Sequence, residues 1–247
     1  MTYDRAYLKE GAKASMRGYK PNPMGVSAVY LLILLIFSFL SQRLNNYTAL
    51  YYELLQAFPY SGSTMSIPTS SPMNTVLLIV LQFAEMTLGV GFSIFCIRIS
   101  RAEKGGFEDL FAAFPKFFRY AGLSIVMGVF IALWSLLLVV PGLIAAYRYR
   151  LSIYLAIDHP DWGIMDCIRE SKRLMIGHKG KAFVLDLSFI GWMFLTGLTL
   201  GILGIWTTPY FRISQVRFYE YVLAANGKSY TIPEPHSSDD ENGSDGN

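Results

Sequence analysis

Six ionisable side chains stand inside apolar stretches of this 247-residue chain, away from the ends of those stretches: Glu85, Arg148, Arg150, Asp186, Arg212 and Arg217. An arginine or aspartate at the centre of a lipid-facing helix costs about 2.5–3.5 kcal/mol, so such groups pair, face a protein interior or hold a ligand. Two acids against four arginines leave the interior net positive. The chemistry this permits is ion pairing inside a helix bundle, with the guanidinium excess free to take a carboxylate or phosphate. Counted inward at about 1.5 Å per residue, Asp186 reaches the depth of Arg150 or Arg217, and Glu85 that of Arg148 or Arg212. Structural pairing is the plainer expectation for these groups, and an anion or headgroup site the sharper one.

A second basic cluster, Lys172, Arg173, Lys179 and Lys181, lies in "ESKRLMIGHKGK" (170–181) beside an apolar stripe. Such a helix at an inner membrane surface attracts anionic headgroups, each basic residue contributing about 1 kcal/mol near the surface. The same charges also serve simply to set topology.

Little else in the chain suggests chemistry. H-E-x-x-H, G-x-S-x-G, P-loop and G-x-G-x-x-G patterns are absent, and His159, His178 and His236 are scattered. "DHPD" (158–161) reads as a helix stop followed by an N-cap rather than a metal site. Ser188 follows Asp186 by two residues, but no histidine is placed to act as its base. Cys96 and Cys167 form no metal or redox spacing. No catalytic residue, metal or cofactor is expected.

The elements that must position the charges follow from composition. The chain is 53% hydrophobic and only 16% charged, where a soluble domain carries about 25% charged residues. A net charge of +3 gives no reason to expect a nucleic-acid partner. Apolar runs near the length of a bilayer crossing place the chain in the membrane class. Split at "VPG" (140–142) and "GILG"/"TTP", they give six spans: 25–41, 75–97, 121–139, 142–157, 182–202 and about 205–223. They pair as hairpins 25–97, 121–157 and 182–223 in one all-α membrane domain over 1–225. Residues 226–247, ending "SSDDENGSDGN", are read as a disordered acidic tail.

Lysine and arginine placement orients the spans. With six crossings and both termini cytoplasmic, the segments 1–24, 98–120 and 158–181 carry nearly all the basic residues outside the spans, while the external loop 42–74 has only Arg43. The expected location is the cell membrane. Within that loop, Leu50, Leu54, Leu55 and Phe58 suit a helix in the outer interface.

The arginines also recur in register. "GLIAAYRYRLS" (142–152) aligns with "GIWTTPYFRIS" (204–214), pairing Arg150 with Arg212, and a third "RIS" closes the second span at 98–100. Segments 107–118 and 164–175 each follow a glycine and place apolar residues at helical offsets, with Ser171 standing where Phe114 stands. Both are expected as cytoplasmic amphipathic helices at the inner surface.

At "VPGLIAAYRYRLSIYLAIDHP", "IRESKRLMIGHKGKAFVLDLSFIGWMFL" and "GIWTTPYFRISQVRFYEYVL" the chain resembles a bacterial integral membrane protein family, domain of unknown function 975. The resemblance covers roughly 5–225 and is most specific over 170–192. It implies an all-α membrane fold and no known activity or catalytic residue. Residues and resemblance together favour a non-catalytic membrane protein that binds lipid, through anionic headgroups at the inner leaflet, or another membrane protein. The alternatives are a transporter, or transporter subunit, for an anionic solute and an intramembrane lipid-modifying enzyme.

Overall fold

Backbone polar groups buried away from water must be satisfied locally, so an apolar chain of this kind folds into helices. The computed structural model describes residues 5–57 and 72–227, and among these the regular structure is entirely helical. The helices are α1 (Arg5–Met16), α2 (Pro23–Ala57), α3 (Pro72–Ser100), α4 (Phe117–Leu137), α5 (Val139–Tyr149), α6 (Ser152–Asp158), α7 (Ile164–Leu174), α8 (Lys179–Leu187), α9 (Ile190–Leu198) and α10 (Gly204–Ala225). The expected acidic tail from 228 onward and the part of the expected loop at 58–71 lie outside the described residues.

Four helical stretches are long and apolar enough to cross a bilayer: Pro23–Leu44, Met73–Ser100, Phe107–Leu137 and Lys179–Leu198. Two of the six expected spans are not among them. The stretch 142–157 is broken between α5 and α6. The stretch 205–223 falls within α10, which is packed against α1, α2 and α3 and buried over most of Thr207–Leu223. A helix enclosed by other helices is not required to be apolar, which is why α10 tolerates charge.

Breaks fall where local chemistry puts them. Leu138 is extended (φ −165°, ψ 148°) and separates α4 from α5. Pro141 then sits in the first turn of α5, where its missing N–H costs no helical bond. Gly142 packs so closely on Ser135 that a Cβ there would overlap it, which keeps the α4–α5 hairpin tight. Leu200 (φ 51°) and Gly201 (φ 88°) turn the chain before α10. No side chain approaches Gly197 or Gly201, so their G-x-x-x-G spacing makes no helix contact.

Several local expectations change. Residues 107–118 do not form an α-helix; they make two 3-10 turns, Phe107–Phe111 and Phe114–Lys116, before α4 begins. Leu110 is buried, but Phe107, Phe111, Phe114 and Phe118 are exposed. The turn is instead pinned by Asp109, whose carboxylate accepts from the Gly106 N–H at 3.0 Å and pairs with Arg98. Segment 164–175 is helical over Ile164–Leu174, and its stripe of Cys167, Ile168, Ser171 and Leu174 is buried, chiefly against α6. The helix expected separately in the outer interface is a continuation of α2, which runs unbroken to Ala57.

Candidate anion site

Arg150 closes α5, where the chain breaks before α6. The break frees backbone groups, and α7 supplies their partner: the Leu151 N–H donates to Ser171 Oγ at 3.2 Å, and Ser171 Oγ donates to the Arg148 carbonyl at 2.8 Å. The serine that stood in for an aromatic in the amphipathic pattern is therefore the residue that holds the break. With the backbone fixed, Arg150 reaches α8 and pairs with Asp186 through two bonds, Nη1 to Oδ2 at 2.5 Å and Nη2 to Oδ1 at 2.8 Å. Tyr147, one turn earlier on α5, donates its hydroxyl to Asp186 Oδ2 at 3.0 Å. Both oxygens of the acid are thus engaged. Forked guanidinium–carboxylate contact is the strong form of such a pair.

Arg212 faces the same place from α10. It lines a cavity of about 360 Å³ with Arg150, Asp186, Tyr154, Gln215 and Ser93. Its guanidinium lies beside the Tyr30 and Tyr154 hydroxyls, but among the described residues it makes no ion pair. The three arginines of the R-x-S register therefore differ: Arg98 has Asp109, Arg150 has Asp186, and Arg212 has no carboxylate. A cavity with one neutralised pair and one guanidinium lacking an ion pair carries about one positive charge, together with the amide of Gln215, whose Oε1 accepts from the Tyr154 hydroxyl at 3.4 Å.

The other sequence candidates lie elsewhere. Glu85 and Arg148 make no ion pair among the described residues, so the expected pairing between Glu85 and Arg148 or Arg212 is not formed. Arg217 is 3% exposed and turned toward α1, where its Nη2 donates to Ser15 Oγ at 2.6 Å beside Gly11. Of the surface cluster, Arg173 bonds Glu170 at 2.8 and 3.0 Å within its own helix. Lys181 donates to the Tyr221 hydroxyl at 2.8 Å. Lys172 and Lys179 are half-exposed. Ser188 spends its hydroxyl on the Leu185 carbonyl at 2.6 Å, and its own carbonyl, freed at the α8–α9 break, accepts from Lys9 Nζ of α1 at 3.1 Å. Burial, then the neighbouring Arg5 and Lys13 charges, hold the Lys9 ammonium below its ordinary pKa.

A second buried network escaped the sequence reading. Arg101 forks onto Asp158 at 2.8 and 2.6 Å and also lies 3.7 Å from Glu220. Tyr219 donates to Asp158 at 2.8 Å, and Ser100 to Glu220 at 2.8 Å. Glu220 was passed over because it stands near a span end. Its helical spacing from Ile213, Val216 and Arg217, all buried, places it on the same inward face.

Residues 129–226 match the model of a family described as Protein of unknown function (DUF975). The match covers less than half of the chain. The DUF975 stretch is narrower than the resemblance over 5–225 and starts within α4, yet it contains Arg150, Asp186, Arg212, Gln215 and the α7 serine that holds the break. No curated protein and no solved structure matches the chain.

Proposed function

We propose that this chain is a non-catalytic integral membrane protein that binds an anionic group, the phosphate of an acidic membrane lipid, in the polar cavity between α3, α5, α6, α8 and α10. The observation that carries the reading is Arg212: a guanidinium with no carboxylate partner among the described residues, lining a cavity where the neighbouring Arg150 is already neutralised by Asp186. A cation without a carboxylate partner held at the depth of apolar helices is costly. An anion returns that cost as charge-assisted hydrogen bonds.

In this reading the chain crosses the cell membrane six times with both termini cytoplasmic. The lysine and arginine distribution supports that orientation. The enclosure of α10 by its neighbours supports its being a crossing despite its charge. Cysteines introduced at Lys104 and Lys172 should react with a membrane-impermeant maleimide only after permeabilisation. Labelling of Lys172→Cys from outside intact cells would overturn the six-span topology.

Binding is tested by native mass spectrometry of the full chain in a neutral detergent. The protein should retain phosphatidic acid at least tenfold more readily than phosphatidylcholine, and Arg212→Gln should remove that preference. A parallel arm with inorganic phosphate separates a lipid headgroup from a free ion: retention of phosphate with no lipid preference would assign the cavity to a soluble anion. An unchanged preference in Arg212→Gln overturns the site.

A further inference from the structure

Arg212 lines a second cavity on its other side. This groove, about 450 Å³, runs between α9 and α10 and is walled by Phe189, Trp192, Met193, Thr196, Thr207 and Phe211. Arg212 is the residue common to both cavities. The two differ in kind. The first gathers arginines, an aspartate, a glutamine and a tyrosine, whereas the second is aromatic and aliphatic apart from its threonines.

Three threonines line it, and two of them, Thr196 and Thr207, are spent on one another and on the backbone, leaving Thr208 on α10 as the third. Thr196 Oγ1 donates to the Trp192 carbonyl at 2.8 Å and lies 3.1 Å from Thr207 Oγ1, and Thr207 Oγ1 donates to the Leu203 carbonyl at 3.1 Å. A hydroxyl bonded within its own helix leaves its methyl to the cavity. The groove therefore presents mainly hydrocarbon and aromatic surface to an occupant. It is also flanked by outward-facing apolar surface: Met193 is 63% exposed, and Phe194 and Leu198 beside it are similarly bare.

The geometry points to one continuous site for an anionic amphiphile, with its phosphate in the polar cavity against Arg212 and a hydrocarbon chain laid along the α9–α10 groove over Trp192. This rests on the anion reading above and adds to it that the ligand enters from the lipid phase with its chain seated on the protein. The charge of Arg212 fixes which end of the amphiphile lies inward, because hydrocarbon placed in the polar cavity leaves that guanidinium without an anion, while a phosphate in the groove meets only the neutral Thr208 hydroxyl and Trp192 indole N–H besides Arg212. A soluble phosphate uses only the first cavity and leaves the groove unfilled.

The test reads chain position, which a merely structural role for the groove does not move. Full-length protein is placed in phosphatidylcholine nanodiscs doped at equal mole fraction with either phosphatidic acid or phosphatidylcholine brominated on its acyl chains, and tryptophan fluorescence is recorded. Brominated phosphatidic acid should quench at least twofold more than brominated phosphatidylcholine. Trp192→Phe, which removes the indole from the groove wall, should abolish that excess. Thr208→Trp, which narrows the groove from α10, should cut phosphatidic acid retention at least fivefold. Met193→Trp narrows it from the exposed rim and serves if Thr208→Trp fails to fold.

If the lipid preference persists and depends on Arg212, but no excess quenching is seen and neither groove variant alters retention, the chain lies elsewhere. The groove assignment is then wrong and the anion site survives. If Arg212→Gln leaves the preference untouched, both readings fall together.

Discussion

The two ends of this helix bundle are built on opposite terms. At one end, residues 88–100 of α3, the start of α4, α6, α7 and most of α10 bury a continuous core that includes Phe92, Phe95, Leu155, Leu174 and Tyr219, laced with the Arg101–Asp158–Glu220 network. At the other, the same helices turn their apolar residues outward. Leu35 and Ile36 of α2, Val76 and Val80 of α3, Leu133, Leu137, Val139 and Ile144 of the α4–α5 tip, and Phe194 of α9 are all exposed. Apolar surface on this scale is far beyond what a water-soluble monomer exposes, which is compatible with contact to the hydrocarbon of a membrane. The lesson is that a single helix changes solvent along its length. In α3, Met73 is 73% exposed while Phe92 is fully buried. The candidate anion site lies where the packed end meets the apolar belt.

That contrast should break most sharply at glycines. Gly91 of α3 lies against the backbone of the 107–111 turn, and a Cβ there would overlap the Leu110 carbonyl, whereas Gly128 of α4 faces open space. Backbone cannot step aside as a side-chain tip can. Gly91→Ala should therefore cost about 2–3 kcal/mol from overpacking, seen as a lowered melting temperature in detergent. Gly128→Ala should be neutral or gain up to about 1 kcal/mol from helix propensity. Equal effects of the two would mean that the ends do not differ in packing.

A smaller effect sharpens the boundary. Asp186 is part-buried and doubly bonded to Arg150, so Asp186→Asn should cost about 2 kcal/mol by stranding a desolvated guanidinium. Adding Arg150→Gln should restore part of that loss, whereas adding Arg217→Gln, which sits against α1, should restore none. Rescue by the Arg217 change instead would reassign the partner of Asp186.

Much of this was readable in the residues, for reasons that are local. Apolar run length and charge deficit required membrane-compatible helices, and four of them bear that out. Depth counting limited Asp186 to Arg150 or Arg217, but it could not choose, because depth along a helix says nothing of azimuth. Register failed at 107–118. Its apolar offsets matched a helical face, yet Gly106 and the buried Asp109 made tight turns whose aromatics point outward. The Glu220 network stayed hidden because Arg101, Asp158 and Glu220 lie far apart in sequence and only the crossing of α3, α6 and α10 brings them together.

The sequence by itself determined the all-helical class, the apolar runs, the excess of guanidinium over carboxylate and the recurrence of R-x-S. These follow from composition and from spacing along one chain. Tertiary structure alone decided which arginine is paired and which is not. Arg98, Arg150 and Arg212 are near-equivalent in local sequence, and each is left with whatever its neighbours bring: the 107–111 turn places Asp109 on Arg98, α8 places Asp186 on Arg150, and Arg212 meets Tyr154 of α6 and Gln215 of its own helix without forming an ion pair among the described residues. A charge is set by residue type, but its compensation depends on which helices meet around it.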